Sequence, residues 1–155
     1  MLYVRLAHFL GMSVWIGGAV ATLVVSRVVA SWTGDERARA NALLAKLHGY
    51  VIAPGAIVTV VSGVLITMSM VNRGMSVAMA RPGVVVMQIT GIVAAVLAVF
   101  VGVPTANRLA VRATRTSPRE EVPPIVMKLE RRQAVVSATA GVLALIALYF
   151  GVVVR

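Results

Sequence analysis

The clearest chemical potential in this chain lies near its amino end. His8 opens the stretch His8-Phe-Leu-Gly11-Met12-Ser-Val-Trp15-Ile-Gly17-Gly18, within a run from Leu6 to Ser26 that holds no Asp, Glu, Lys or Arg. At helical spacing His8, Met12 and Trp15 share one face, with Gly11 and Gly18 beside them. An ionisable group is costly to embed in lipid, which makes His8 a functional-site candidate. Its imidazole can ligate a metal or a haem, or bond to water and a neighbouring carbonyl near the headgroups. The Trp15 ring can wall such a cofactor, or simply pack over Gly11 and Gly18.

Six of the eight methionines (Met12, Met68, Met70, Met75, Met79 and Met87) are expected at the same end as His8. Soft thioethers with one imidazole suit Cu(I), with His8, Met68, Met70, Met75 and Met79 as the metal set. They also suit a b-type haem on His8, with Met68, Met70, Met87 or Gln88 supplying the sixth ligand or anchoring its water. As adaptable apolar filler the same methionines need no metal. His48, beside Lys46 and Tyr50, reads as an interfacial polar residue. Because the second helix begins where the first ends, His8 and His48 belong to opposite membrane faces and cannot share one metal. With no cysteine, disulfides, thiolate metal sites and iron–sulfur clusters are excluded. There is no HExxH, no phosphate-cradling glycine loop, and no carboxylate inside an apolar run for acid–base work.

The elements that position these residues follow from composition. The chain has 155 residues, 59% hydrophobic and 13% charged, with a mean hydropathy of +0.93, too apolar for a soluble domain of this size. Four runs lack charged side chains: Leu6–Ser26, Leu47–Asn72, Pro82–Asn107 and Gln133–Val154. Each reaches the roughly 20 residues needed to cross the hydrocarbon core as a helix. They do not alternate apolar and polar residues as membrane strands do. The expectation is all-α: one domain over 1–155, a four-helix transmembrane bundle with helices at about 4–29, 47–71, 82–106 and 129–154.

The net charge of +10 is placed in a way that argues against nucleic acid. Eleven of the fifteen basic residues fall in the loops after the first and third runs, and all five acids accompany them. The positive-inside rule then predicts both termini outside and both long loops in the cytoplasm, against anionic headgroups.

Local signals refine the picture. Thr33-Gly-Asp-Glu36 fits a capping box and predicts a short helix running into the second span. Pro54 predicts a kink early in that span. Small-residue stripes (Thr59, Ser62, Gly63 and Thr67; Gly91, Ala95, Ala98 and Gly102; Ser137, Gly141 and Ala144) predict close helix packing, with Gln88 on the second stripe. Ser117-Pro118 reads as a further cap. The first run is long for a signal-peptide core, so it is expected to stay as a helix of the bundle.

His8, six residues and then Trp15-x-Gly17-Gly18, in the first of four helices, resembles a group of bacterial four-helix membrane proteins. The group includes the copper-resistance CopD-type domain, the HemJ-type protoporphyrinogen oxidases and an uncharacterised predicted integral membrane family, which is nearest in layout. Ser62-Gly63 with Leu65, and Leu129-Glu-Arg-Arg-Gln133, are similar as well. The resemblance implies the bacterial cytoplasmic membrane and, from HemJ-type proteins, a haem b on His8. The lysine that family uses at the start of its third helix is absent from Val86-Met87-Gln88, which sets the oxidase activity aside. The CopD likeness implies copper handling.

Three functions follow as expectations: a small haem-binding redox or accessory protein, a Cu(I) binding or transport protein, and a cofactor-free accessory subunit of a larger membrane complex or homo-oligomer. Whether it is an enzyme stays open.

Overall fold

In lipid only an internal hydrogen-bond ladder satisfies every backbone group, so apolar runs of this length fold as helices. The computed structural model describes residues 1–32, 34–114 and 123–153. These form α1 (Leu2–Val29), α2 (Gly34–Leu47), a π-helical segment (His48–Ile52), α3 (Ala53–Asn72), a single turn α4 (Ser76–Met79), α5 (Pro82–Val96), a second π segment (Leu97–Gly102), α6 (Val103–Thr114) and α7 (Pro124–Val153). There are no strands among the described residues. Four continuous helical units, Leu2–Val29, Gly34–Asn72, Pro82–Ala113 and Pro124–Val153, are long and apolar enough to cross a membrane. This is the expected all-α four-helix bundle.

The boundaries differ from expectation at the basic end. The second unit starts at Gly34 and runs unbroken into the span, as the capping signal suggested, although Thr33 itself lies outside the described residues, as does Ser117. The third unit continues to Thr114 and the fourth begins at Pro124, each well beyond the hydropathic run. These extensions pair: α2 packs on α6 through Ala40, Leu44 and Ala45 on one side and Ala106, Leu109 and Ala113 on the other.

Pro54 produces a widened turn rather than a simple kink. Proline lacks an N–H and its ring presses on the carbonyl four residues back. In the turn before it, the Ala53 N–H reaches five residues back to the His48 carbonyl. The same solution precedes Pro104, where the Val103 N–H bonds to the Ala98 carbonyl. The two π segments touch each other.

Between α1 and α3 the backbones themselves meet. A Cβ on Gly55 would lie 3.0 Å from the Gly11 carbonyl oxygen and 3.0 Å from the Trp15 nitrogen. Lipid is as apolar as a side chain, so helix association here rests on close van der Waals contact. That contact carries Trp15, 2% exposed, into a core ringed by Ile52, Ala56, Ala94, Ala95, Ala98, Ala140 and Ala144. The small-residue stripes therefore make room for an indole. On α7 the packed face is Ser137, Ala140 and Ala144, whereas a Cβ on Gly141 would meet nothing within 4 Å, so Gly141 lies off the expected stripe.

Candidate functional site

His8 is half-buried and faces helix α3. Its Nδ1 lies 2.8 Å from the Thr59 carbonyl oxygen and 3.1 Å from the Ser62 hydroxyl. Gly63 leaves the ring room, since a Cβ there would stand 3.2 Å from His8 Cε1. With Nδ1–H donating to Thr59, Nε2 keeps its lone pair, which is how metal-ligating imidazoles are commonly held. One turn further on, the Gln88 amide donates to the Thr67 hydroxyl at 3.1 Å, and Thr67 donates to the Gly63 carbonyl. A polar seam thus runs along α3 from Thr59 to Thr67.

The expected ligand set does not assemble around this imidazole. Met68 and Met75 are exposed at 57% and 44%, and Met70 and Met79 are half-exposed beside them. Met87 turns toward α7, where its sulfur would meet a Cβ on Gly151 at 3.1 Å. Gln88 is engaged by Thr67. Met12 is half-buried one turn from His8, and Trp15 fills the bundle centre instead of walling a macrocycle. The described residues hold no group of three or more His, Asp or Glu positioned for a metal.

The second histidine departs most from expectation. His48 is not an exposed polar residue; it is 2% exposed, inside the bundle on the first π segment. It packs against Gly102 of the second π segment, where a Cβ would stand 3.1 Å from His48 Nε2. The opposite-end placement of the two histidines holds. His8 contacts α3 eleven to fourteen residues beyond His48, about 16–21 Å along a helix at 1.5 Å per residue.

Around His48 lies a buried polar cluster. Gln133 (6% exposed) places its amide nitrogen 3.1 Å from His48 Nε2 and 3.4 Å from the Ser137 hydroxyl. Its Oε1 is buried with no partner. Thr22 (1% exposed) donates to the Gly18 carbonyl at 2.9 Å. Toward the basic end, Glu130 accepts from Arg37 Nε at 2.9 Å and Nη2 at 2.5 Å, and from the buried Asn41 amide at 3.0 Å. The Glu130 hydrogen bond and charge hold the Arg37 guanidinium pKa above its ordinary value. This fork joins α2 to α7, segments far apart in sequence.

These groups border a chamber of about 460 Å³. Its floor is Asn41, Leu44, Ala45, His48, Ala106 and Leu109, all buried. Its exposed lining residues (Arg27, Ala30, Arg131, Ala134 and Val135) belong to α1, to its C-cap Ala30 or to α7. The chamber's opening therefore lies between the first and last helices. Ligand sites are typically apolar hollows with a few convergent polar groups, and π segments recur at such sites.

The sequence carried one usable signal for this site. Asn41, Leu44, Ala45, His48 and Ile52 recur at helical spacing, which marks a buried face continuing through the polar extension into the span. No protein-family model, no curated protein and no solved structure matches the chain.

Proposed function

We propose that this membrane protein binds a lipid-soluble molecule with a hydrogen-bonding head in the chamber between α1 and α7. The observation that carries the reading is the unpartnered Gln133 Oε1 beside His48. Leaving a buried polar atom unmatched costs about 1–3 kcal/mol. The Gln133 side chain lines the chamber, and a ligand that draws its amide out of the wall would supply the missing partner. The opening between α1 and α7 suits a molecule already dissolved in the bilayer.

The test is photolabelling with a long-chain alcohol bearing a diazirine, using protein in lipid nanodiscs and peptide mapping. Saturable labelling of the chamber walls, competed by unlabelled alcohol and lost in Ala138→Trp and Ala134→Trp, is the expected result. Labelling that does not saturate, or that survives both plugs, overturns the proposal.

A second reading rests on the His8 ring, whose Nδ1 is engaged by Thr59 and Ser62. It gives His8 Nε2 to a haem b iron or to Cu(I), as the family likeness implies. Purified protein from haem- and copper-replete cells would then show a Soret band or bound copper that His8→Ala removes and His48→Ala keeps. A colourless, copper-free preparation ends that reading.

A further inference from the structure

The charge at the chamber's lip narrows the ligand class. Three guanidinium groups and one carboxylate stand at or beside the opening: Arg27, Arg131, Arg37 and Glu130. Arg37 and Glu130 neutralise each other. Arg27 and Arg131 are exposed on the two sides of the gap, on α1 and α7, and make no ion pair among the described residues. Among the described residues the lip thus carries two positive charges without an ion-pair partner, beside a gap with apolar walls. Guanidinium is well shaped for phosphate oxygens.

The floor adds a second requirement. Gln133 Oε1 is shielded in the wall without a partner, so a ligand group that meets it when the amide turns toward the chamber must donate. A hydroxyl does so, and it also accepts if the amide is turned to present its nitrogen, so it suits this side chain in either orientation.

On the reading that the chamber is a ligand site, we propose that its ligand is an anionic glycerophospholipid whose headgroup bears a hydroxyl. Arg27 and Arg131 take the phosphodiester, Gln133 takes the head hydroxyl beneath it, and the acyl chains leave through the gap into the bilayer. Bulk attraction of basic loops to acidic lipid is nonspecific and exchanges freely. A lip charge pair over a hydrogen-bonding floor instead retains one lipid.

Native mass spectrometry of the full chain tests this, titrated with phosphatidylglycerol, phosphatidylethanol (the same charge without the hydroxyl) and phosphatidylcholine. One phosphatidylglycerol is expected to be retained at least tenfold more tightly than phosphatidylcholine, and severalfold more tightly than phosphatidylethanol. Arg27→Gln with Arg131→Gln removes the first preference. Gln133→Leu removes the second while sparing the first. Equal retention of all three lipids, or preferences untouched by these substitutions, overturns the proposal. Full displacement by millimolar glycerol 3-phosphate would overturn it in favour of a soluble phosphate ligand. Chamber labelling by the neutral alcohol with no lipid preference sinks only the headgroup assignment; absence of chamber labelling sinks the site itself.

Discussion

Replacing Gly55 by alanine should destabilise the bundle, while the same change at Gly17 should not. In a helix interior glycine costs roughly 0.5–1 kcal/mol relative to alanine, so the exchange is intrinsically favourable at both positions. At Gly17 the added methyl meets nothing within 4 Å, and the intrinsic gain should stand alone. At Gly55 it meets the Gly11 oxygen at 3.0 Å, the Trp15 nitrogen at 3.0 Å and the Trp15 Cα at 3.2 Å. All three are backbone atoms of α1, so no rotamer change relieves the contact and the helices must separate. Overpacking of this kind costs about 1–3 kcal/mol, and separation also loosens Trp15 among its alanines. The gain offsets part of that, leaving a net loss of about 1–2 kcal/mol, or roughly a tenfold shift in the unfolding equilibrium at 1.4 kcal/mol per decade. Reversible unfolding in mixed micelles, following tryptophan emission, measures both variants. If Gly55→Ala proves as stable as Gly17→Ala, α1 and α3 are not in backbone contact and the placement of His8 and Trp15 fails with it.

The fork between Arg37 and Glu130 should be worth more than a surface pair, because both side chains are largely shielded, at 16% and 22% exposed. A double-mutant cycle with Arg37→Gln and Glu130→Gln should give a coupling of about 1–3 kcal/mol, above the 0–1 kcal/mol of exposed pairs; additive single effects would contradict the geometry. Gly102→Ala should press on His48 Nε2 and weaken chamber photolabelling severalfold with little change in secondary structure; unchanged labelling would show that His48 does not shape the site.

The sequence made the four spans legible because charge-free runs of membrane length have few alternatives in lipid. It also placed His8 and Trp15 on one face and the two histidines at opposite ends. The role of Trp15 was left open, since small residues that admit a macrocycle also admit an indole, and the structure fills the space with the indole. Lys46 and Tyr50 give no sign that His48 is buried; Tyr50 is 80% exposed while His48, two residues away, faces inward. The chamber was not legible, because it depends on pairing α2 with α6 and on joining Arg37 to Glu130, contacts between segments far apart in sequence. Pro54 announced a local departure from α-helix, but a widened turn and a kink share that signature.

The hollow bordered by His48 and Gln133 is proposed to hold a membrane-derived molecule. An antibody-fragment-assisted cryo-EM map of the protein in native-lipid nanodiscs tests it most directly. The account predicts elongated density entering between α1 and α7, with its head within hydrogen-bonding distance of the Gln133 side chain. A map in which α1 and α7 close over an empty hollow, with lipid density only on the outer helix faces, would contradict it.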